Sequence, residues 1–530
     1  MPSNEDARPD APTDPSDGGG RFVDAIAQTE PAPRSFGRAI GGTIAGTVLP
    51  GLGLVLGRHR MIGAVVLTTF LGGLLALVLL VVFRRRSLIA WALNPSIMQT
   101  AAIILVVAAF AWVGVIILTH VWLRPAKLTN GQRGAGAALV GVLSFLVAAP
   151  LAVGSVYATA SAQSVGGTFK SHNDSKSATR PSEKPTREAA DPWKGVDRVN
   201  ILLLGGDSDG GNRDGIRTDT VMVASIDPQT GNVTLVSLPR NTGRMPFPED
   251  SVLHEHFPYG FSNGDGSNAE YMLNAMYGNV PAVLGKDILG ETDNVGADVM
   301  KLSVGEAIGL KIDYYALVDI KGFSQMIDAL GGITVNINDR VAVGGSTDAN
   351  RPPDRWLEPG PDQHLNGNDA MWFARGRYGS DDFERMDRQR CVIDAMVRQV
   401  NPANVVSRYE AIVREGGDLI LTDITQEDLP AFADLAMRVK DGKIRSLVFK
   451  NGERGFFSSD PDFASMRERV KAAIGETKKA KKKSSKPKSS SPADPSDPPS
   501  SANPSSPDSS SSDQQEESED TEDACAYQPV

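Results

Sequence analysis

Residues 199–207 read VNILLLGGD, a short uninterrupted apolar run closed by two glycines and an aspartate, the pattern of a buried strand that ends in a tight turn. Residues 221–226 (VMVASI) and 233–238 (VTLVSL) are two more such runs, and DPQTGN at 227–232 supplies the turn residues of a hairpin between them. Helical periodicity follows at 299–308 and again at 323–330, where Gly331 and Gly332 form a helix stop that leads into another strand at 333–337. Strands alternating with helices predict a single α/β domain over residues 196–475, with a sheet covered by helices.

Around this domain the composition changes abruptly. The chain has 530 residues, 41% of them hydrophobic and 22% charged, with 53 Gly, 34 Pro, 2 Cys and a formal net charge of -10. These figures exclude a collagen, a coiled coil or a disulfide-rich mini-scaffold, and the net acidity argues against nucleic acid as a partner. Two cysteines build neither a zinc cluster nor a thiol relay. Cys391 falls in a predicted helix and Cys525 in a tail expected to be disordered, so no disulfide is expected between them.

Residues 61–83, 98–123 and 135–159 carry no formal charge over lengths that cross about 30 Å of hydrocarbon, which predicts three membrane spans within a region at 39–159. The stretch 39–57 is apolar but holds Pro50 and several glycines; it reads as a fourth span, a re-entrant turn or an interfacial segment, and it decides the parity. With three spans and the N-terminus inside, Arg58, Arg60, Arg124, Lys127 and Arg133 are cytoplasmic against Arg84, Arg85 and Arg86 outside, a balance that favours an external C-terminal domain. Residues 1–38 are polar and rich in Pro, Asp and Gly, a disordered cytoplasmic leader rather than a cleavable signal. The Ser, Lys, Thr and Pro content of 160–195 suits a flexible spacer. The tail at 476–530 has a lysine-rich start, Ser/Pro repeats and an acidic run; it cannot bury enough apolar surface to order itself.

Within the domain, four polar clusters stand at the ends of apolar elements. They are Gly205-Gly206-Asp207-Ser208-Asp209, Arg217-Thr218-Asp219-Thr220, Ser237-Leu238-Pro239-Arg240-Asn241, and Arg375-Gly376-Arg377 followed by Asp382, Arg385, Arg388, Gln389 and Arg390. The guanidinium fork binds phosphate oxygens bidentately and keeps its charge, so arginines at this density point to a phosphate or pyrophosphate ligand. Arg385 and Gln389 are four residues apart and share a helix face, bordering an apolar stripe of Met386, Ile393, Val397 and Val400. Asp207 and Asp219 suit Mg²⁺, which takes one or two carboxylates together with substrate phosphate oxygens and water. Two strand-end aspartates also serve as plain turn formers. A calcium loop at Asp207 fails in detail, because Asn212 and Thr218 stand where that pattern needs Gly and Glu. His254-Glu255-His256 lacks helical metal-ligand spacing and is assigned to a surface loop, while Ser237 has no nucleophile-elbow setting and no P-loop occurs.

Together VNILLLGGD, RTDTVMVASID, VTLVSLPRNT, VDIKGFSQMIDALGGITVNI and GNDAMWFARGRYGSDDFERMDRQR resemble the LytR-CpsA-Psr family of bacterial cell-envelope proteins. The resemblance implies a central mixed β-sheet flanked by helices in an α-β-α domain outside the cytoplasm. It implies transfer of a polyprenyl-pyrophosphate-linked glycopolymer to peptidoglycan, with Mg²⁺ as cofactor and membrane lipids as neighbours. By position it makes Asp207 and Asp219 the metal-side carboxylates, Asp207, Asp219, Arg217 and Arg240 catalytic, and Arg375, Arg377, Arg385, Arg388 and Gln389 substrate-binding. Asn241 departs from the acidic residue of many relatives, so it is given no role, and the multi-span region departs from the family's usual single anchor. A polyprenyl-pyrophosphate-glycan pyrophosphatase and a non-enzymatic envelope regulator are the alternative expectations.

Overall fold

The computed structural model describes residues 35–57, 59–83, 91, 94–182, 185–186, 191–207, 216–264, 268–346, 350–399, 420–484 and 518–528. They divide into two compact units, Met1–Val82 with Ile104–Gly154, and Phe83–Ile103 with Ser155–Val530.

The N-terminal helices are α1 (Phe36–Val48), α2 (Leu52–Val55), α3 (Arg60–Phe83), α4 (Pro95–Leu123) and α5 (Asn130–Thr168). Among the described residues three stretches, Arg60–Phe83, Pro95–Leu123 and Asn130–Gly167, are long and apolar enough to cross a membrane. The ambiguous stretch 39–57 forms a helical hairpin instead of a full span. Its longer arm, α1, has 13 residues, about 20 Å, short of the hydrocarbon thickness. The chain reverses at Gly51, which adopts φ +94°. The hairpin closes tightly on itself, since a Cβ on Gly53 would lie 2.3 Å from the Gly42 carbonyl oxygen. It is fastened to α4 by a Thr43 Oγ1 to His120 Nδ1 contact of 3.1 Å and by the Trp112 indole, which donates to the Thr47 carbonyl at 3.1 Å.

The second unit is built on β1 (Val199–Asp207), β2 (Arg217–Ile226) and β3 (Val233–Leu238). These form an antiparallel meander in the register Val199 to Ile226 and Val221 to Leu238, with the expected reversal at 227–232. Then come α6 (Val252–His256), a 3₁₀ turn at Ala269–Tyr271, α7 (Leu273–Leu284), α8 (Val295–Ile308), β4 (Tyr314–Asp319), α9 (Ile320–Leu330), β5 (Ile333–Ile337), β6 (Val341–Val343), β7 (Arg355–Leu357), β8 (Gly360–Leu365), α10 (Gly367–Arg375) and α11 (Asp382–Gln399). The domain closes with β9 (Ile420–Thr422), α12 (Leu429–Lys440), β10 (Ile444–Val448), α13 (Phe463–Ser484), β11 (Glu519–Asp520) and α14 (Thr521–Ala524). The main sheet has the order β11-β10-β3-β2-β1-β4-β9. It is mixed, because β4 joins β1 in parallel and β10 joins β3 in parallel.

Alternation along the strands sorts side chains between two cores. Leu202, Leu204, Val221, Val223, Val236 and Leu238 pack on one face with α7, α8 and α13. Met222, Ala224, Ile226, Val233 and Leu235 pack on the other with Trp193 and α12. A third cluster joins the small β5–β8 and β6–β7 sheets to α9, α10 and α11 through Ile327, Ile333, Val335, Phe373 and Val392. The α-β-α architecture expected from the sequence is present.

Several expectations need correction. First, 160–195 is no loose spacer in its described parts. The Lys170 carbonyl accepts from Gln426 N at 3.1 Å, and Ser177 Oγ and Ala178 N donate to the buried Asp298 carboxylate at 2.9 and 3.0 Å. Arg180 Nη1 donates to the Asp423 carbonyl at 3.0 Å, and the fully buried Trp193 donates its indole N–H to the Ala431 carbonyl at 2.9 Å. A polar composition predicts a solvated chain only if its partners are water; here they are groups more than a hundred residues away. Secondly, the C-terminal segment is partly ordered. Helix α13 runs on to Ser484, residues 485–517 lie outside the described residues, and β11 returns to pair with the edge of β10. Thirdly, that return brings Cys525 to Cys391, with Cα atoms 5.6 Å apart in a disulfide. His254 and His256 sit on the five-residue helix α6 rather than in a loop. Of the expected leader at 1–38, residues 1–34 fall outside the described residues, as does Val400 of the apolar stripe, while Phe36–Arg38 open α1 and are not a disordered leader.

Candidate active site

Glycines let β1 and β2 meet closely near their outer ends. A Cβ on Gly205 would stand 2.9 Å from Thr220 Cβ. There the register slips: Gly205 faces Thr220 and Gly206 faces Thr218, leaving Asp219 as the extra residue of a β-bulge. Bulges re-aim side chains where a ladder ends, and this one hands the Asp219 carboxylate to Arg240, whose Nη1 donates to Oδ1 at 2.7 Å.

Arg240 is itself held by a turn. Thr242 N and Oγ1 donate to the Pro239 carbonyl at 3.1 and 2.7 Å. The carbonyls of Arg240 and Thr242 accept from Asn274 N and Leu273 N, both at 2.9 Å, which satisfies orphan donors at the start of α7. From the other side comes the start of α11. Asp382 Oδ1 lies 3.4 Å from Arg240 Nε, 3.0 Å from Arg385 Nη2 and 3.9 Å from Arg377 Nη1. Arg385 is only 2% exposed, and its Nε–H finds no partner among the described residues. Three guanidinium groups therefore face two carboxylates, Asp219 and Asp382, with positive charge in excess and a buried donor left over. Such a site calls for an anion with several oxygens.

Burial alone would raise the Asp219 carboxyl, but Arg240, with Arg385 and Arg377 behind it, outweighs burial and holds it below the ordinary aspartate range. Burial likewise opposes the charge on Arg240, and the facing Asp219 and Asp382 overcome it and raise its pKa. On Arg385 burial wins over the Asp382 attraction and lowers the pKa. Asp219 is thus a fixed anion well suited to a hard cation, and two carboxylates around substrate phosphate oxygens are a donor set that Mg²⁺ accepts. Among the described residues no group of three or more His, Cys, Asp or Glu could hold a metal on its own.

The remaining expected residues take different places. Arg217 lies two positions before Asp219 and forms an ion pair with Glu270 of the 3₁₀ turn. Arg375 closes α10, two residues before Arg377. Asp207 ends β1 opposite Arg217, and its side chain lies outside the described residues, as does the loop 208–215. Arg388 and Gln389, expected to touch substrate, spend their donors on the backbone. Arg388 donates to the carbonyls of Phe373 (2.8 Å) and Gly376, and Gln389 to that of Ala374 (3.2 Å). They fix the end of α10 and the turn that carries Arg377. Sequence reasoning missed the bridging role of Asp382 and the pairing of Glu270 with Arg217.

The LytR_cpsA_psr family model matches residues 159–483. The polyisoprenyl-teichoic acid–peptidoglycan teichoic acid transferase TagU of Oceanobacillus iheyensis is 28% identical over 276 residues, 50% of this chain and 73% of that protein. TagV of Bacillus subtilis, named for the same transfer, is 24% identical over 267 residues, 49% of this chain and 59% of its own length. The crystal structure of B. subtilis TagV aligns at 23% identity over 53% of this chain and 97% of that one, with a TM-score of 0.37. Since the matched segment 159–483 takes in more than half of the 530 residues, the chain belongs to the LytR_cpsA_psr family.

Proposed function

We propose that this protein is a membrane-attached phosphotransferase working outside the cytoplasm, which moves a polyprenyl-pyrophosphate-linked glycopolymer onto peptidoglycan through a phosphodiester bond. The observation that carries the reading is the convergence of Arg240, Arg377 and Arg385 on Asp219 and Asp382, with the orphaned Arg385 Nε–H at its centre. The names of the relatives support the substrate class. The three long apolar helices support a multi-pass attachment among membrane lipids. The Cys391–Cys525 disulfide supports the external orientation, because such bonds persist in oxidising compartments.

In this reading the arginines hold the nonbridging oxygens of the diphosphate and keep it in line for attack. A hydroxyl oxygen of the peptidoglycan sugar forms a bond to the glycan-side phosphorus. The bond from that phosphorus to the bridging oxygen breaks, and polyprenyl phosphate leaves with the electron pair. The hydroxyl proton passes to a carboxylate of the site. Charge that develops on the leaving and nonbridging oxygens meets guanidinium groups already in place, so little reorganisation is needed. Asp219, with Asp207 across the ladder, would hold Mg²⁺, which when bound supplies further neutralisation of phosphate charge.

The test incubates the purified full-length chain in detergent with lipid-linked glycan, Mg²⁺ and peptidoglycan oligomers. Glycan joined to peptidoglycan is the expected product. Free glycan phosphate alone would make the protein a pyrophosphatase, and no turnover would leave it a binding or regulatory protein.

A further inference from the structure

The turn that positions Arg240 continues into a second concavity. Gly243 N donates to the Ser458 carbonyl at 2.8 Å, and Arg244 then adopts φ +50°, a left-handed conformation that is strained for a non-glycine residue. The loop 257–261 presses against it. Gly260, at φ +85°, could carry no side chain, because a Cβ would lie 2.3 Å from the Arg244 carbonyl oxygen. Phe257 and Phe261 pack edge to face at 5.3 Å beneath this loop, and Phe261 N donates to the Met245 carbonyl at 2.8 Å. A rigid floor thus displays Tyr259, which is 90% exposed, to solvent. The result is a cleft of about 600 Å³ lined by Arg244, His256, Tyr259, Ser262 and Ser459.

A single exposed ring needs no explanation by itself, but Tyr259 lines a cleft, where an aromatic face with a polar tip is suited to take up a ligand. The cleft's volume falls within the range of small-ligand sites, and Phe257 and Pro258 stand in its lining beside the polar groups, a mixture that suits an amphiphilic ring such as a sugar better than a lipid tail. Hydroxyls, an imidazole and a half-exposed guanidinium ring the opening, groups that donate to and accept from a polyhydroxyl ligand. The Tyr259 ring offers a flat face for the C–H side of a pyranose. Arg244, paired with the exposed Asp460, supplies a cation that an incoming carboxylate can take over. Four residues separate Arg244 from Arg240, at most about 14 Å of chain, so a sugar in the cleft lies a short oligosaccharide's length from the arginine–aspartate cluster.

We infer that the cleft between Arg244, Tyr259 and Ser459 is a saccharide subsite that seats an acid-bearing sugar next to the phosphoryl-transfer centre. The choice between acceptor strand and donor polymer as the source of that sugar rests on the function proposed above; the saccharide chemistry itself does not.

The experiment measures binding of soluble muramic-acid-containing glycan oligomers, and separately of the lipid-free donor glycan, to the full-length protein in detergent. It compares wild type with Tyr259→Ala and Arg244→Gly. Tyr259 touches solvent, and glycine tolerates the Arg244 backbone, so both variants keep the fold. Each is expected to weaken muramyl-glycan binding by about tenfold or more and leave donor-glycan affinity unchanged. Weakening of donor binding instead would keep the saccharide subsite and assign it to the donor. Unaltered affinity for both glycans in both variants, or no measurable wild-type binding of either, would overturn it. Wild-type binding through Tyr259 without any linked product would retain the subsite and sink the transferase reading. Linked product with an unchanged acceptor KM in both variants would do the reverse.

Discussion

Replacing Cys525 by Ser removes the cross-link between α11 and the C-terminal segment while leaving every other contact available. The bridge closes a loop of 134 residues. In the chain-entropy account this restricts the unfolded state by about 17 cal/mol/K, worth about 5 kcal/mol at 25 °C, with measured bridges more often at about 2–4 kcal/mol. The folded state keeps the Arg390–Glu519 ion pair at 2.9 Å and the Thr521 hydroxyl donated to Asp394 at 2.7 Å, so the segment should stay docked and the loss should come from the unfolded side. Thermal unfolding of the detergent-solubilised protein, followed through the buried Trp193, should show Tm lowered by roughly 6–15 °C at about 2–4 °C per kcal/mol. Cys391→Ser should match it, the double variant should be no worse than either single one, and a reductant should bring wild type to the same value. A Cys525→Ser protein with wild-type Tm, or single variants differing by more than about 1 kcal/mol, would refute the reasoning. The loss would then lie in side-chain packing and not in the covalent link.

Arg240→Ala should lower kcat by about 10²–10³ and, by stranding the Asp219 carboxylate, cost about 1–3 kcal/mol of stability as well, and Arg240→Lys should recover only part of either, because an ammonium cannot serve Asp219 and Asp382 from one planar fork; steady-state kinetics and unfolding decide. Asp219 is an ionised partner with a depressed pKa, so its stabilisation is present above the ordinary aspartate pKa of about 3.9 and is lost as pH falls through its lower folded value. Asp219→Asn should therefore destabilise by about 1–3 kcal/mol above roughly pH 5, and the gap to wild type should close in strong acid; urea unfolding at several pH values reads this directly. Lys301 donates at 2.7 Å to Asp423, with both side chains almost wholly buried, and burial already raises the Asp423 carboxyl. Lys301→Met should thus cost about 3–5 kcal/mol in denaturant unfolding. Arg388→Ala should loosen the turn carrying Arg377, seen as a raised donor KM with kcat less affected.

What the sequence disclosed and what it withheld follow a physical line. The strands at 199–207, 221–226 and 233–238 were legible because a strand buried on both faces needs an unbroken apolar run, and the glycines after them announced the turn. Arg240, Arg377, Arg385 and Asp219 were legible because few ligands other than phosphates demand so many guanidinium groups at the ends of apolar elements. Asp382 was not, since it stands beside Asp381 and Glu384 and only the helix direction decides which carboxylate turns inward. Arg388 and Gln389 share a helix with Arg385, and their diversion to the α10 carbonyls depends on a partner that sequence spacing cannot place. The strap at 170–180 and the Cys391–Cys525 bridge are contacts across a hundred residues or more. For the bridge, the one local sign was a cysteine between two alanines, with Tyr527 just beyond, after a long Ser/Pro tract.

One residue, Phe169, lies between Thr168, the end of α5, and Lys170, and the carbonyls of both Phe169 and Lys170 accept from Gln426, so the chain is fastened as soon as the helix ends. On the proposed reading no slack follows the helix for the protein to reach out with, so substrate has to be brought to it.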